Sequence, residues 1–462
     1  MSLLLHNTTT RRKVKFTPID PADVRIYACG PTVYDLAHVG NARMMVVFDL
    51  IVRVLRDAFP KVTYVRNITD VDDKINAAAS DQGLPIDVIT SRTTEAMHED
   101  MAAIGVLPPD VEPRATDHIA PMITMVETLI ARGHAYEKEN HVLFEVGTMA
   151  DYGGFSGRDR DEQIAGSRID IAPFKRDPAD FVLWKPSNEA QPGWDSPWGR
   201  GRPGWHIECS AMSEVYLGKT FDIHGGGLDL VFPHHENEVA QSYCAHDGAP
   251  LANYWVHNGM VVIEGQKMSK SLGNFVVVRD ALTRWRGEEI RWLLLSAHYR
   301  QPLDWTEAGL QQARSNLDRI YTALRRSSEE IGESTRPDSG LGKVRSALHD
   351  DFNTPLAFSE IMALVGRLNR TEVPSERASL VAAIRAAGAL LGVVGDSVES
   401  WFQTGANELA AEEIDALIIK RTVAREGKDF STSDQIRDSL LDQGVVLEDG
   451  PDGTTWRYQA DN

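Results

Sequence analysis

The chain has 462 residues, 42% apolar and 25% charged, which is too long for one hydrophobic core and predicts two to four domains. No apolar run approaches the roughly 18–20 residues that cross a bilayer, and three cysteines (Cys29, Cys209 and Cys244) are too few for a disulfide scaffold. With 48 basic against 67 acidic side chains the net charge is −19, which argues against a general nucleic-acid binder, although a local basic surface is enough for an RNA site.

The N-terminus, MSLLLHNTTTRRKVKF, has too short an apolar stretch for a signal peptide, and a cytoplasmic protein is expected. Residues 24–29 (VRIYAC) read as a buried strand ending in a Gly-Pro turn. A helix follows from near His38, with Met44, Val47, Phe48, Ile51, Val54 and Leu55 at spacings of three and four. A second β-rich run, VTYVRNIT at 62–69, completes a βαβ unit and predicts a parallel sheet with a right-handed crossover. Ligands on such sheets sit at the carboxyl ends of the strands.

A helix is predicted over 116–134, capped by Thr116 or Asp117, apolar at Ile119, Ile123, Val126 and Ile130, and stopped by Gly133. Residues 145–204, rich in Gly, Pro, Asp and Arg with Trp184, Trp194 and Trp198, read as an irregular insertion outside the core. Regular α/β signals return with FDIHGGG (221–227) and YWVHNGMVVI (254–263). Beyond about 306 the pattern is helical, with breaks at 332–342 and near 392–406. The chain ends in two short β-like runs about a DGPDG turn.

Three constellations carry chemistry. PTVYDLAHVGNAR (31–43) sits where the first strand turns into the first helix, and a helix N-terminus with a Gly and an imidazole suits a phosphate. EGQKMSKSLGN (264–274) places two lysines and two serines between glycines, apt for clamping and releasing a polyphosphate. HHENE (234–238) puts His234 and Glu238 on one helical face, and with Cys29 and Cys209 they would make a tetrahedral zinc set. On spacing alone, buried free cysteines and a surface helix account for these residues more simply than a metal does.

The pairing of His38-Val39-Gly40-Asn41 with KMSKS at 267–271 resembles the signature of class I aminoacyl-tRNA synthetases. Asn41 stands where the family has a second histidine, and asparagine donates a hydrogen bond but carries no charge. YACGPTVYD, NITDVDDKI, GWHIECSAM and HGGGLDLVFPHHENE resemble blocks of the cysteinyl-tRNA synthetase family, in its order, from about residue 22 to the terminal TTWR.

The resemblance implies an α/β fold: a Rossmann-type parallel-sheet catalytic domain split by an insertion, a helical anticodon-binding domain, and a small mixed C-terminal domain. The expected divisions are 1–115, 116–204 (insertion), 205–265, 266–331 (KMSKS loop and stem-contact helices), 332–400 and 401–462. It implies zinc held by Cys29, Cys209, His234 and Glu238, and Mg2+ with ATP. By the same resemblance Thr69 and Trp205 line a cysteine pocket, with Gly30 near the substrate amino group. Asp229 would hold the ATP ribose. His38, Asn41, Lys267 and Lys270 form the phosphate-handling motifs, with His38 and Lys270 facing the triphosphate.

His224 and His235 are read as structural or outer-layer groups, and Cys244 as a small buried hydrophobe. DDFNTPLAF (350–358) resembles the family's anticodon-side helices. In the C-terminal segment Arg421, Arg425, Lys428 and Arg437 recur at helical spacing as a local basic face, while Trp456 fits either base stacking or packing. The implied partners are L-cysteine, ATP and tRNA-Cys, with no membrane and a monomer as the family's expectation. A cysteine ligase acting on an amino sugar shares the catalytic blocks but lacks the anticodon-binding C-terminus. A non-catalytic RNA-binding or zinc-sensing paralogue would have lost KMSKS or a zinc ligand.

Overall fold

The structure is a computed structural model that describes residues 2–166, 174–269, 272–327, 339–403, 411–450 and 453–458. A hairpin of β1 (Leu4–Asn7) and β2 (Arg12–Lys15) precedes the first buried strand, β3 (Val24–Ala28). Helix α1 (Val39–Ala58) then returns the chain to β4 (Val62–Arg66), parallel to β3. This is the predicted βαβ unit. All six periodic apolar residues of α1 are buried, because the helix packs between the sheet and the helices that follow.

Helices α2 (Asp73–Gln82) and α3 (Ile86–Ala103) lead to a short 3-10 turn at Ala115–His118 and α4 (Ile119–Ala131). Met122, Met125 and Leu129 share α4's buried face with Ile119 and Val126, whereas Ile123 and Ile130 are only half-buried. The face is therefore rotated from the one predicted on Ile residues alone, since the long methionines reach the core equally well.

The insertion is not irregular. Strands β5 (Ala135–Lys138), β6 (His141–Phe144), β7 (Phe181–Pro186) and β8 (Gly201–Pro203) form an antiparallel sheet in that order, with the short helix α5 (Arg160–Gly166) between β6 and β7. Phe144, Phe181, Leu183 and Trp184 are buried in a shared core. Strands this short, flanked by Gly and Pro, leave too few alternations for periodicity to register.

The chain re-enters the parallel sheet after α6 (Trp205–Leu217) through β9 (Phe221–Gly227), then α7 (Glu236–Ala245) and β10 (Ala252–Asn258). The sheet order is β10-β9-β3-β4, all parallel. β11 (Val261–Ile263) and β12 (Gln266–Lys267) make the hairpin that leads into KMSKS. Helices α8 (Val278–Leu282) and α9 (Gly287–Ser296) follow, then β13 (Leu303–Trp305) beside β11.

The remainder is helical: α10 (Glu307–Arg325), α11 (Gly340–His349), α12 (Thr354–Leu368), α13 (Pro374–Leu391) and α14 (Val398–Gln403). Most of the predicted break at 332–342 lies outside the described residues. The last unit has α15 (Ala411–Glu426), α16 (Phe430–Asp442) and the predicted antiparallel pair β14 (Val445–Gly450) and β15 (Gly453–Tyr458). Its core of Ile414, Leu440, Val445, Leu447 and Trp456 is separate from the two larger ones. Among the described residues no helix is long and apolar enough to cross a membrane.

The joint between the sheet-bearing and helical parts is built on buried charge. Asp49 of α1 accepts from Arg53 (2.8 Å), from the Leu107 amide (3.0 Å) and from Arg291 of α9, which is fully buried. Arg291 also donates to the carbonyls of Leu391 and Gly105. Asp49→Ala leaves that guanidinium without its carboxylate, and a loss of about 3–5 kcal/mol is expected, read as a lower thermal midpoint. An unchanged midpoint would show that the carbonyls alone satisfy Arg291.

Candidate active site and metal centre

A cleft of about 690 Å³ opens at the carboxyl ends of β3, β9 and β10. Cys29, Gly30, His38, Asn41, Trp205, Asp229 and Lys267 all line it. Seven positions spread over 239 residues thus converge on one cavity, because the strand ends, the start of α1 and the β11–β12 hairpin all border it. Lys270 lies outside the described residues.

His38 is the N-cap of α1. Its Nδ1 accepts from the amides of Gly40 (3.0 Å) and Asn41 (3.3 Å), while the Asn41 side-chain oxygen accepts from the His38 amide (3.2 Å). With Nδ1 accepting, the neutral ring carries its proton on Nε2. Asn41 therefore completes a reciprocal cap that organises the first turn. Gly40 is required by space: a Cβ there would stand 2.8 Å from the His38 ring. Past Lys267, Asn274 ties the loop, accepting from the Ser269 amide (2.8 Å) and donating to the Lys267 carbonyl (3.2 Å).

Cys29 follows β3, Cys209 lies on α6, and His234 and Glu238 flank the start of α7. A π-type turn at Val231–His235 leads into that helix, so the i, i+4 geometry holds although α7 itself begins at Glu236. All four side chains are buried. Cys29 Sγ is 3.6 Å from Cys209 Sγ, 3.5 Å from His234 Nε2 and 3.4 Å from Glu238 Oε1. His234 Nε2 is 2.9 Å from Glu238 Oε1.

Tetrahedral zinc, with Zn–S near 2.3 Å and Zn–N near 2.05 Å, sets ligand atoms about 3.8 Å (S to S) and about 3.5 Å (S to N) apart. The spacing of the thiols and imidazole fits. The charges are divided: burial, with Cys209 and Glu238 beside it, pushes the Cys29 thiol well up, so a metal ion would have to displace its proton. Burial disfavours the Cys209 thiolate, but its bond from Cys29 and the adjoining His234 outweigh this and bring it down to about 6. Glu238 is held well below the usual carboxylate range, because His224 and His234 outweigh burial. His234 is drawn up to about 10 against burial by Glu238 and Cys209, so a metal ion would displace a proton from it.

A second set overlaps the first: Cys29, His224, His235 and Glu238 also bring one ligand atom each to a common point. His224 Nε2 is 3.2 Å from Glu238 Oε2, and His235 Nε2 is 3.3 Å from Cys29 Sγ. The sequence did not signal this, because His224 lies within β9 and His235 ends the turn before α7, eleven residues on. His206 was also missed; its Nδ1 is 3.0 Å from His234 Nδ1, which leaves His234 Nε2 facing the thiols. His235 is bonded in turn to His257 and through it to Thr8.

Trp205 stacks on His234 at 4.2 Å between centroids. Thr69 is buried rather than cleft-lining, and its hydroxyl donates to Glu208 (3.1 Å). Asn67 connects it to the cleft, accepting from the Gly30 amide (2.8 Å) and donating to Thr69 (3.2 Å). A Cβ on Gly30 would fall 1.6 Å from the Asn67 carbonyl, so only glycine fits between the strands here. Neither Asn67 nor Glu208 had a signal beyond its motif. Cys244 is buried among apolar neighbours, which push its thiol up to about 11.

The C-terminal basic face is smaller than predicted. Arg421 is buried and pairs through both nitrogens with Asp449 at 2.8 Å, and Arg425 joins the same carboxylate at 2.9 Å. These two fasten α15 to the terminal hairpin; Lys428 and Arg437 are exposed. Trp456 packs, being buried with its indole donating to Asp415 (2.8 Å).

Three protein families match successive parts of the chain: the class I (C) tRNA synthetase catalytic domain over residues 15–315, the DALR domain over 343–395, and the cysteinyl-tRNA ligase anticodon binding domain over 408–457. Among curated relatives, the cysteine–tRNA ligase of Rhodospirillum rubrum is 59% identical over 460 residues, covering 99% of this chain and all of the relative. That of Paramagnetospirillum magneticum is 56% identical over 459 residues, with 99% and 100% covered. Solved structures share the fold at lower identity. A methionyl-tRNA synthetase of Mycobacterium tuberculosis with methionyl-adenylate has a TM-score of 0.61 at 16% identity, over 82% of this chain and 93% of that one. The LeuRS–tRNA–LeuAMS complex of Agrobacterium radiobacter has 0.60 at 12%, over 94% and 95%.

Proposed function

Because the chain belongs to the cysteine–tRNA ligase family of class I aminoacyl-tRNA synthetases, we propose that its strand-end cleft binds cysteine and ATP side by side and joins them before transfer to tRNA. The protein is an aminoacyl-tRNA ligase specific for cysteine. The observation that carries the site reading is the meeting of the four-donor cluster and the His38–Lys267 region at one cleft, through Cys29.

Cys29, Cys209, His234 and Glu238 would hold zinc in preference to the overlapping set. They supply two thiolates, which favour zinc, and Trp205 stacks directly on His234 beside the cleft. His224 and His235 then support Glu238 and Cys29 from behind. A bound zinc ion would take the substrate thiol as thiolate, a ligand that the hydroxyl of serine replaces poorly.

Gly30 and Asn67 shape the wall where the substrate amino group would lie. Asp229, just beyond the glycines of β9, would accept from the ATP ribose hydroxyls. The start of α1, with the positive end of its dipole and the His38 ring, would face the phosphates. Lys267, Lys270 and ATP-bound Mg2+ would neutralise charge as pyrophosphate leaves. The substrate carboxylate attacks the α-phosphate and the bond to pyrophosphate breaks; a hydroxyl of the 3′-terminal ribose of tRNA-Cys then attacks the cysteinyl carbonyl, and AMP leaves. No protein nucleophile takes part; positioning and charge stabilisation carry the reaction.

The test is cysteine-dependent ATP–pyrophosphate exchange together with charging of bulk tRNA by labelled cysteine. Both are expected. Exchange without charging, with the label passed instead to an amino sugar, would move the acceptor to a small amine. Absence of both would overturn the reading of the cleft.

A further inference from the structure

Arg43 lies two residues beyond Asn41 on α1, and its side chain is fully buried. Among the described residues no carboxylate pairs with it. Its guanidinium is committed instead to three carbonyls: Nη1 donates to Met260 (2.7 Å), and Nη2 to Gln301 (2.5 Å) and His298 (3.4 Å). Removing an unpaired charge from water costs several kcal/mol, and burial draws the pKa of this arginine down to about 10.

The three carbonyls belong to two segments. Met260 is at the foot of the hairpin that carries Lys267, between β10 and β11. His298 and Gln301 precede β13, the strand that pairs with β11. The two segments are also in direct contact, since the Gly259 amide donates to the Tyr299 carbonyl at 2.7 Å. The other foot of the loop is fastened to the beginning of the same helix: Val39 donates to the Val276 carbonyl (3.0 Å) and Val278 to the Ala37 carbonyl (2.9 Å). Helix α1 therefore holds both feet of the segment from Met260 to Val278, one through backbone and one through Arg43.

We infer that Arg43 is a positioning residue for adenylation, fixing the entry foot of the Lys267 hairpin so that Lys267 and His38 address one triphosphate. The inference rests on the proposed role of Lys267 at ATP. Arg43 touches no substrate. It acts on registry between helix and hairpin, where a displacement of about 1 Å can cost about 100-fold in rate.

The full-length Arg43→Met and Arg43→Lys proteins test it in cysteine-dependent ATP–pyrophosphate exchange. In Arg43→Met, kcat/KM for ATP is expected to fall roughly 10- to 100-fold, with a raised KM for ATP, while the KM for cysteine and the zinc content stay at wild-type values. Arg43→Lys, whose ammonium lacks the planar fork, is expected to fall between. Combined with Lys267→Ala, Arg43→Met should add no further loss for ATP. A merely structural role lowers the active fraction and the melting temperature but leaves both KM values alone, and that pattern overturns the inference. If Arg43→Met does not fold, an unchanged KM for ATP in Arg43→Lys overturns it instead. Impaired Lys267→Ala with normal Arg43 variants sinks this inference alone; normal ATP kinetics in Lys267→Ala sinks the role of Lys267 and the inference with it.

Discussion

Cys209→Ser is expected to lower kcat/KM for cysteine in ATP–pyrophosphate exchange by at least about 100-fold, since removing only an outer partner of a metal ligand typically costs about 10- to 100-fold. Cys209 is one of the four donors, 3.6 Å from Cys29, and its thiol is the one drawn down to about 6. A serine hydroxyl at that place stays protonated and offers zinc a poor ligand. With zinc held as proposed, metal content should therefore fall, and the KM for cysteine should rise while the KM for ATP holds.

Removing zinc from the wild-type protein with a chelator should reproduce the defect, and added Zn2+ should reverse it. Cys244→Ser is the control. Cys244 is buried but stands apart from the donor cluster, so this change should cost stability and leave both metal content and cysteine kinetics unchanged. Full metal content and normal cysteine kinetics in Cys209→Ser would show that Cys209 is no ligand and that the overlapping set of Cys29, His224, His235 and Glu238 holds the metal.

Ending the chain after Gln403 is expected to separate the two half-reactions. The residues removed contain the small core of Ile414, Leu440, Val445, Leu447 and Trp456, which is distinct from the cores around the cleft. Cysteine-dependent ATP–pyrophosphate exchange should persist. Charging should lose about 100-fold or more in kcat/KM for tRNA, because each base contact forfeited carries about 1–3 kcal/mol. Exchange that collapses together with charging would show instead that the last domain is needed to build the cleft. With Arg421 and Arg425 committed to Asp449, the exposed cations available to RNA there include Lys428 and Arg437, so charge contributes less to that surface than the sequence implied.

Local chemistry was legible. The βαβ unit could be read because α1 has a buried face with unbroken periodicity, and because strands buried in a parallel sheet form continuous apolar runs. The turn at the start of α1 was legible too, since Gly40 and His38 belong to the first turn of one helix. The antiparallel sheet of the insertion was not, since β5, β6 and β8 have four residues or fewer. Nor was the fate of Arg421, whose partner Asp449 lies on the terminal hairpin.

The sequence by itself determined the residue types, the order of the elements, and the turns at which each functional group is presented. A strand end, a helix cap or an i, i+4 pair is decided by a few consecutive residues, and such local preferences are written in the chain. Only the tertiary structure decided which of these groups meet. Cys29 and Cys209 come within 3.6 Å because parallel β3 and β9 and helix α6 pack together, closing a loop of 180 residues. The histidines 206, 224, 235 and 257 surround that centre, and Arg43 reaches Met260, for the same reason. No local preference encodes such contacts; they form because burying the sheet faces leaves one arrangement in which those side chains share an interior.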